Sequence, residues 1–289
     1  MNEINILNKS DYPNTLKNMP GSPRKLYIRG HFPVDEDRKY LCVVGSRDWT
    51  TYGRDSVNKI LSGLRGYPIS IVSGLALGID SIAHMAALDA GLHCIAFPGS
   101  TLEWKAIYPP AHTRLAREIV DKGGALVSQW RVGYDTGKWA FPARNKLMAG
   151  LSHATLIVEA GKGSGSLMTA KHAEEYDRDI MAIPGPISNS HSYGPHMLIK
   201  NGALMVSSAR DVLENFGFEA NKLSSETLSI VEKLDQDSRS IIEVLKISEY
   251  TIDHLSEKLR MSPTKLNEKL AYLELEGLVS ISDDTVRCI

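Results

Sequence analysis

Residues 41–91 read LCVVGSRDWTTYGRDSVNKILSGLRGYPISIVSGLALGIDSIAHMAALDAG. Two short apolar runs, LCVVGS (41–46) and Ile69 to Ser73, predict buried strands. Between them, TYGRDSVNKILSGLRG (51–66) sets Val57, Ile60, Leu61 and Leu64 on one face at helical spacing. GIDSIAHMAALDAG (78–91) predicts a second helix, with Gly91 as its C-cap. The alternation continues with a strand at 93–99, a helix at 110–124 and a strand at 125–130. After a loop at 131–142 come a helix at about 143–151, a strand at 154–160, a helix at 166–177 and a strand at 179–185. A loop at 185–195, a short helix near 196–201, a strand at 203–208 and a helix at 209–215 complete the pattern. Such alternation implies an α/β fold, a Rossmann-like, doubly wound, mostly parallel sheet covered on both faces. Ligands of such sheets bind at the carboxyl ends of the strands. The loops after residues 45, 73, 98, 130, 160 and 184 therefore share one rim.

Working outward, residues 1–39 form an N-terminal lead-in, whose Pro- and Gly-rich part at 12–33 is expected to be irregular. The Rossmann-like domain spans 40–216. A polar, Ser-rich stretch makes 217–234 a linker, and 235–289 a second unit. That unit has three helical segments. Thr251 caps the second, Ser262 and Pro263 open the third, and Gly277 stops it. A hairpin turning near Asp283-Asp284 follows, so the tail reads as a small C-terminal winged-helix domain.

Composition narrows the function. Of 289 residues, 43% are hydrophobic and 23% charged, and the net charge is −1, so a nucleic-acid site has to be a local patch. Residues 223–289 carry 8 Lys and Arg against 13 Asp and Glu; residues 1–222 carry 25 against 21. Phosphate contacts dominate DNA affinity, so the acidic tail is expected to bind protein rather than DNA. The N-terminus lacks an apolar h-region, and no apolar stretch reaches the ~18–20 residues of a membrane span, so a cytoplasmic location without membrane association is expected. Cys42, Cys94 and Cys288 show no zinc spacing, and Cys42 and Cys94 read as buried small hydrophobes. No metal, no cofactor and no catalytic residues are expected: no GxSxG elbow or Walker A loop occurs.

Four motifs fall on the rim. VVGSR (43–47) puts Ser46 and Arg47 after the first core strand; the Arg fork suits phosphate, or an ordinary surface ion pair. SGLALGID (73–80) is a Gly-rich turn into a helix, either an anion site or simply a tight turn. FPARNKLMAGLS (141–152) places Phe141 beside Arg144 and Lys146, with Lys138 and Trp139 just before. Aromatics interleaved with cations suit stacked bases and their phosphates, or a Phe under a loop with solvated cations. EAGKGSGSLMTAKHA (159–173) ends a strand in Gly163, Ser164, Gly165 and Ser166 before a helix, where free N–H groups and the helix dipole favour phosphate. Lys162 and Thr169 are further candidate contacts there.

This ordered set resembles the DprA/Smf family of DNA-processing proteins. The likeness runs from Tyr12 to about Leu213 and includes YPNTLKNM, LYIRG, VVGSR, SGLALGIDSIAHMAAL, FPGS, FPARNKLMAGLS, EAGKGSGSLMTA, IPG and LIKNGA. It implies an extended Rossmann domain with a winged helix and binding of single-stranded DNA. It also implies loading of a RecA-type recombinase onto that strand, a role in natural transformation and recombination, and a homodimer. The residues it implies at the DNA pocket are Arg47, Lys138, Phe141 and Arg144, with the Ser-Gly-Ser loop close by. The sequence departs from the family at Leu77, where Arg is usual, at Tyr108 to His112 (YPPAH), and at His196. The competing reading is a nucleotide-binding sensor or nucleotide-handling protein on the same fold. Phosphoribohydrolases of that kind carry a catalytic Glu, and the run Ser166 to His172 holds none.

Overall fold

The computed structural model describes residues 3–35, 37–218, 234–245, 249–276, 278–282 and 285–288. The chain divides into two compact units, Met1–Phe218 and Glu219–Ile289. The first unit is built on a nine-stranded sheet of order β1-β2-β6-β5-β4-β3-β7-β8-β9. Its strands are β1 Ile4–Asn8, β2 Lys25–Gly30, β3 Lys39–Val44, β4 Ile69–Ser73, β5 His93–Ala96, β6 Ala125–Ser128, β7 Ala154–Ile157, β8 Asp179–Ala182 and β9 Leu204–Met205. From β6 to β9 every pairing is parallel, with Leu41 opposite both Ile71 and Ala154. The sheet is therefore mostly parallel and Rossmann-like.

Helices cover both faces: α1 Asn14–Lys17, α2 Thr51–Ser62, α3 Ile79–Asp89, α4 Thr113–Asp121, α5 Ala140–Leu151, α6 Ser166–Glu175, α7 Tyr193–Lys200 and α8 Ala209–Asn215. The period-2 pleat of β3 explains the two layers. Leu41 and Val43 join one core cluster with Val57, Ile60 and Leu61 of α2. Tyr40, Cys42 and Val44 join the other with Leu147, Met148 and Leu151 of α5. Fully burying each such side chain contributes about 1.5–3 kcal/mol. Cys42 and Cys94 are buried free thiols.

Three expectations are corrected. The lead-in is not irregular throughout: β1 and β2 pair antiparallel, and β2 joins β6, so the sheet begins at Ile4. The run KLYIRG buries Leu26, Tyr27, Ile28 and Arg29, and the prolines and glycines confine the irregularity to the connection. Helix α5 starts at Ala140 rather than 143, taking the Phe-Pro step into its first turn. Pro142 fits there because a first-turn N–H has no intrahelical partner to lose. Helix α7 likewise starts at Tyr193 and carries Pro195 in its first turn.

The second unit has helices α9 Gln236–Leu245, α10 Ile252–Leu259 and α11 Pro263–Leu275. Strands β10 Tyr250–Thr251, β11 Val279–Ser282 and β12 Thr285–Cys288 pair in the order β10-β12-β11; β10 adds a strand to the expected hairpin. Thr251 Oγ1 accepts the His254 N–H and Ser262 Oγ accepts the Lys265 N–H, capping α10 and α11. Ile241, Leu255, Leu266, Leu270 and Val286 fill its core. The linker reading over 219–233, the Gly277 stop and the Asp283-Asp284 turn lie outside the described residues. Among the described residues no helix is long and apolar enough to cross a membrane.

Candidate functional site

The strand order reverses beside β3. The chain steps outward through β4, β5 and β6, then returns to set β7 on the other side of β3. Such a reversal opens a crevice at the carboxyl ends of the strands. A cavity of about 520 Å³ lies here, lined by Ser46 and Arg47 after β3, Phe141, Arg144 and Asn145 of α5, and Ser164 to Ser166 and Thr169 around the start of α6.

Local geometry shapes this rim. Gly78, at φ +85°, sits so close under the turn after β3 that a Cβ would lie 2.4 Å from the Ser46 carbonyl oxygen and 2.6 Å from Arg47 Cα. The Ile79 N–H donates to that carbonyl at 3.1 Å, tying α3 to the turn. Leu75 is fully buried at φ +58°, a left-handed conformation that costs a non-glycine residue on the order of 1–2 kcal/mol. His112 Nδ1–H donates to its carbonyl at 2.8 Å and helps to hold it. Glu159 is structural: its carboxylate accepts the Thr50 N–H at 2.9 Å and the Thr50 hydroxyl at 2.5 Å, beside the N-terminus of α2.

The expected site residues separate into groups. Ser46, Arg47, Phe141, Arg144, Ser164, Gly165 and Ser166 converge on the cavity. Arg47 is exposed and joins no ion pair among the described residues. Ser46 Oγ accepts the Asp48 N–H at 3.1 Å. Ser164 Oγ and Ser166 Oγ are 2.8 Å apart at the entrance to α6, and Gly163, at φ +82°, makes the turn before them without lining the cavity. Lys138, Lys146 and Lys162 are exposed and do not line it.

Arg144 differs from its expected role as a free phosphate ligand. It is buried; Nη1 donates to the Phe97 carbonyl at 2.7 Å and lies 3.9 Å from Asp80 Oδ2. Burial pushes the Asp80 carboxyl up, opposed first by Arg144 and then by the Ala76 and Gly74 N–H groups. Burial pushes the Arg144 guanidinium down, opposed first by Asp80. The pair forms the floor of the cavity and leaves Arg47 as the open cation at its mouth.

Asp80 and Asn145 were not singled out in the sequence. An acidic residue in a first helical turn after a Gly-rich loop was the available signal for Asp80. Tyr108 was also missed as a neighbour: it packs on Phe141 with ring centroids 5.6 Å apart. Leu77 is exposed and lines a small pocket of about 30 Å³ with Arg47, Tyr108 and Phe141. Among the described residues no cluster of His, Cys, Asp or Glu could hold a metal ion.

A family model described as DNA recombination-mediator protein A matches residues 3–217, and one described as the DprA winged helix domain matches residues 228–283. Protein Smf of Escherichia coli (strain K12) is 41% identical over 207 residues, covering 72% of this chain and 54% of that protein, so the chain spans about half its length. DNA processing protein DprA of Streptococcus pneumoniae is 41% identical over 207 residues, covering 72% of each chain. The X-ray structure of the S. pneumoniae protein matches with TM-score 0.67 and 38% identity, over 75% of this chain and 76% of that one. The structure of DNA processing protein A from Helicobacter pylori, which describes a single-stranded DNA binding mode, matches with TM-score 0.66 and 26% identity, over 74% of this chain and 95% of that one.

Proposed function

Since the chain belongs to the DNA recombination-mediator protein A (DprA/Smf) family, we propose that it binds single-stranded DNA at the β3/β7 crevice, as a non-catalytic DNA-processing protein. The observation that carries this reading is the convergence of Arg47, Phe141 and the Ser164–Ser166 loop on one cavity. In it, Arg47 and the N–H groups at the start of α6 take phosphates, and Phe141 stacks a base. Lys138 and Lys146, outside the cavity, meet the strand on either side. The likeness to a protein with a single-stranded DNA binding mode supports the same reading.

The biological role we infer is protection of single strands and assistance in loading a RecA-type recombinase during DNA uptake, in a cytoplasmic homodimer. Exposed Leu204 and Met205 on edge strand β9 support a dimer contact within residues 198–206.

The test is fluorescence anisotropy of a short labelled single strand across a salt series, with duplex and free nucleotides as competitors. Preference for the single strand, weakening with salt, supports the reading. Binding of a nucleotide but of neither DNA form makes the protein a small-ligand sensor instead; a cavity of about 520 Å³ is large enough for one.

A further inference from the structure

The loop between β6 and α5 carries three large rings that the function above does not use. Tyr134 stacks on Trp130, with centroids 5.6 Å apart and planes 13° from parallel. Trp139 meets Trp130 edge-on at 4.9 Å and Tyr134 at 6.2 Å. Such a cluster ordinarily sinks into a core, yet these rings belong to neither core cluster of the unit. Tyr134 is 44% exposed, Trp139 51% and their neighbour Val132 53%. Two hydrogen bonds brace the loop: the Trp130 N–H donates to Ser128 Oγ at 3.0 Å, and the Gly133 N–H to Glu103 Oε1 at 2.8 Å.

Charge identifies what the rings face. Arg131 and Lys138 alternate with them, both exposed and neither in an ion pair among the described residues. Asp135 is the stretch's single carboxylate. Cations interleaved with open ring faces suit a polyanion whose units carry flat apolar groups, which is a single strand of nucleic acid. Trp139 lies two residues before Phe141, so their Cα atoms are within ~7 Å. The backbone that carries Trp139 thus adjoins the residue assigned to base stacking in the crevice.

We propose that Trp130, Tyr134 and Trp139 form a second base-stacking platform, which extends the path of single-stranded DNA beyond the crevice. Bases stack on the open faces of Tyr134 and Trp139, and Arg131 and Lys138 take the adjoining phosphates. This rests on the crevice reading, because the crevice holds the first part of the strand.

Strand length separates the two sites. Full-length protein is titrated with labelled oligothymidylates of increasing length at fixed salt, comparing wild type, the double variant Tyr134→Ala/Trp139→Ala, and Arg47→Ala. The double variant is expected to bind the shortest strand captured by wild type within two-fold, and to lose ten-fold or more on strands several nucleotides longer. Arg131→Glu, which leaves the rings and Lys138 in place, is expected to reproduce the length-dependent loss even where the ring variant is poorly folded. Equal affinity at every length, or an equal loss at every length, would overturn the platform while the crevice reading stands. Wild type that binds no single strand overturns both readings, and so does an unaffected Arg47→Ala, because the platform extends a strand held in the crevice.

Discussion

Arg144 reaches Asp80 by passing directly over the backbone of Gly74. A Cβ added at Gly74 would fall 1.6 Å from Arg144 Nη1 and 2.4 Å from Asp80 Oδ2. Glycine at the end of β4 is thus what allows α3 and α5 to share a buried ion pair beneath the cavity. Removing one partner leaves an uncompensated buried charge, which typically costs about 3–5 kcal/mol. Asp80→Asn is expected to lower unfolding stability by about that amount in urea titrations. Gly74→Ala is expected to destabilise at least as much, because the added methyl meets the buried guanidinium. A loss under about 1 kcal/mol in both would show the pair to be dispensable.

Arg47→Ala should act on binding and not on stability. The side chain is exposed and joins no ion pair among the described residues, so its loss is expected within about 0.5 kcal/mol of wild type in denaturation. Single-strand affinity is expected to fall about ten-fold. The slope of log K against log salt should shrink by about 0.7, the share of one phosphate contact on a single strand.

Phe141→Ala removes a ring that lies over Gly99, where a Cβ would sit 2.9 Å from Phe141 Cδ1. Base–aromatic stacking contributes about 1–3 kcal/mol per base, so affinity is expected to fall roughly five- to 150-fold with little change in salt slope. Phe141→Tyr keeps a ring face and should retain most of the binding. Equal losses in both variants would point to altered packing rather than lost stacking.

The winged helix should contribute little to DNA affinity. The lysines on α11 are engaged within the unit: Lys265 Nζ is 2.5 Å from Asp237 Oδ2, and Lys269 Nζ 2.6 Å from Asp235 Oδ2. The hydrogen bond from Lys269 holds the Asp235 carboxyl down to about 2. Lys265→Glu/Lys269→Glu in the full chain is expected to change single-strand affinity less than two-fold at ~0.15 M salt, where exposed charges are screened beyond ~8 Å. A ten-fold loss in the same titration would assign this unit a direct share of the DNA.

Stability should fall in mild acid. His84 is fully buried, and burial, opposed first by the Ser73 backbone, pulls it down to about 3. The unfolded chain takes up this proton near pH 6.5, whereas the folded chain resists it until about 3. The unfolded state therefore binds more protons over that window, so stability is lost as pH drops through it. The slope approaches about 1.4 kcal/mol per pH unit for this one residue. Burial also pulls His93 and His153 down to about 4, which acts in the same direction. His153 Nδ1 accepts the Tyr40 N–H at 3.0 Å, a bond that protonation would break. Urea titrations from pH 7 to 4.5 on wild type and His84→Gln check this: the variant should show a shallower pH slope whatever its absolute stability.

By itself, the sequence determined the order of strands and helices from β3 to α8, the mostly parallel sheet, the caps at Thr251 and Ser262, and the Gly-rich turns. These depend on neighbours a few residues apart, through pleat, helical period and local hydrogen bonds. Lys25–Gly30 escaped that reading because its partner Ala125–Ser128 is distant in sequence, and pairing rather than local pattern makes it a strand. Only the tertiary structure decided which cations open onto the cavity. FPARNK offers Arg144 and Lys146 two positions apart on one helix, and composition cannot tell them apart. Packing turns Arg144 inward to Asp80 and the Phe97 carbonyl and leaves Lys146 in solvent. A buried guanidinium needs a carboxylate and a carbonyl already in place, and here helix α3 and the end of β5 supply them.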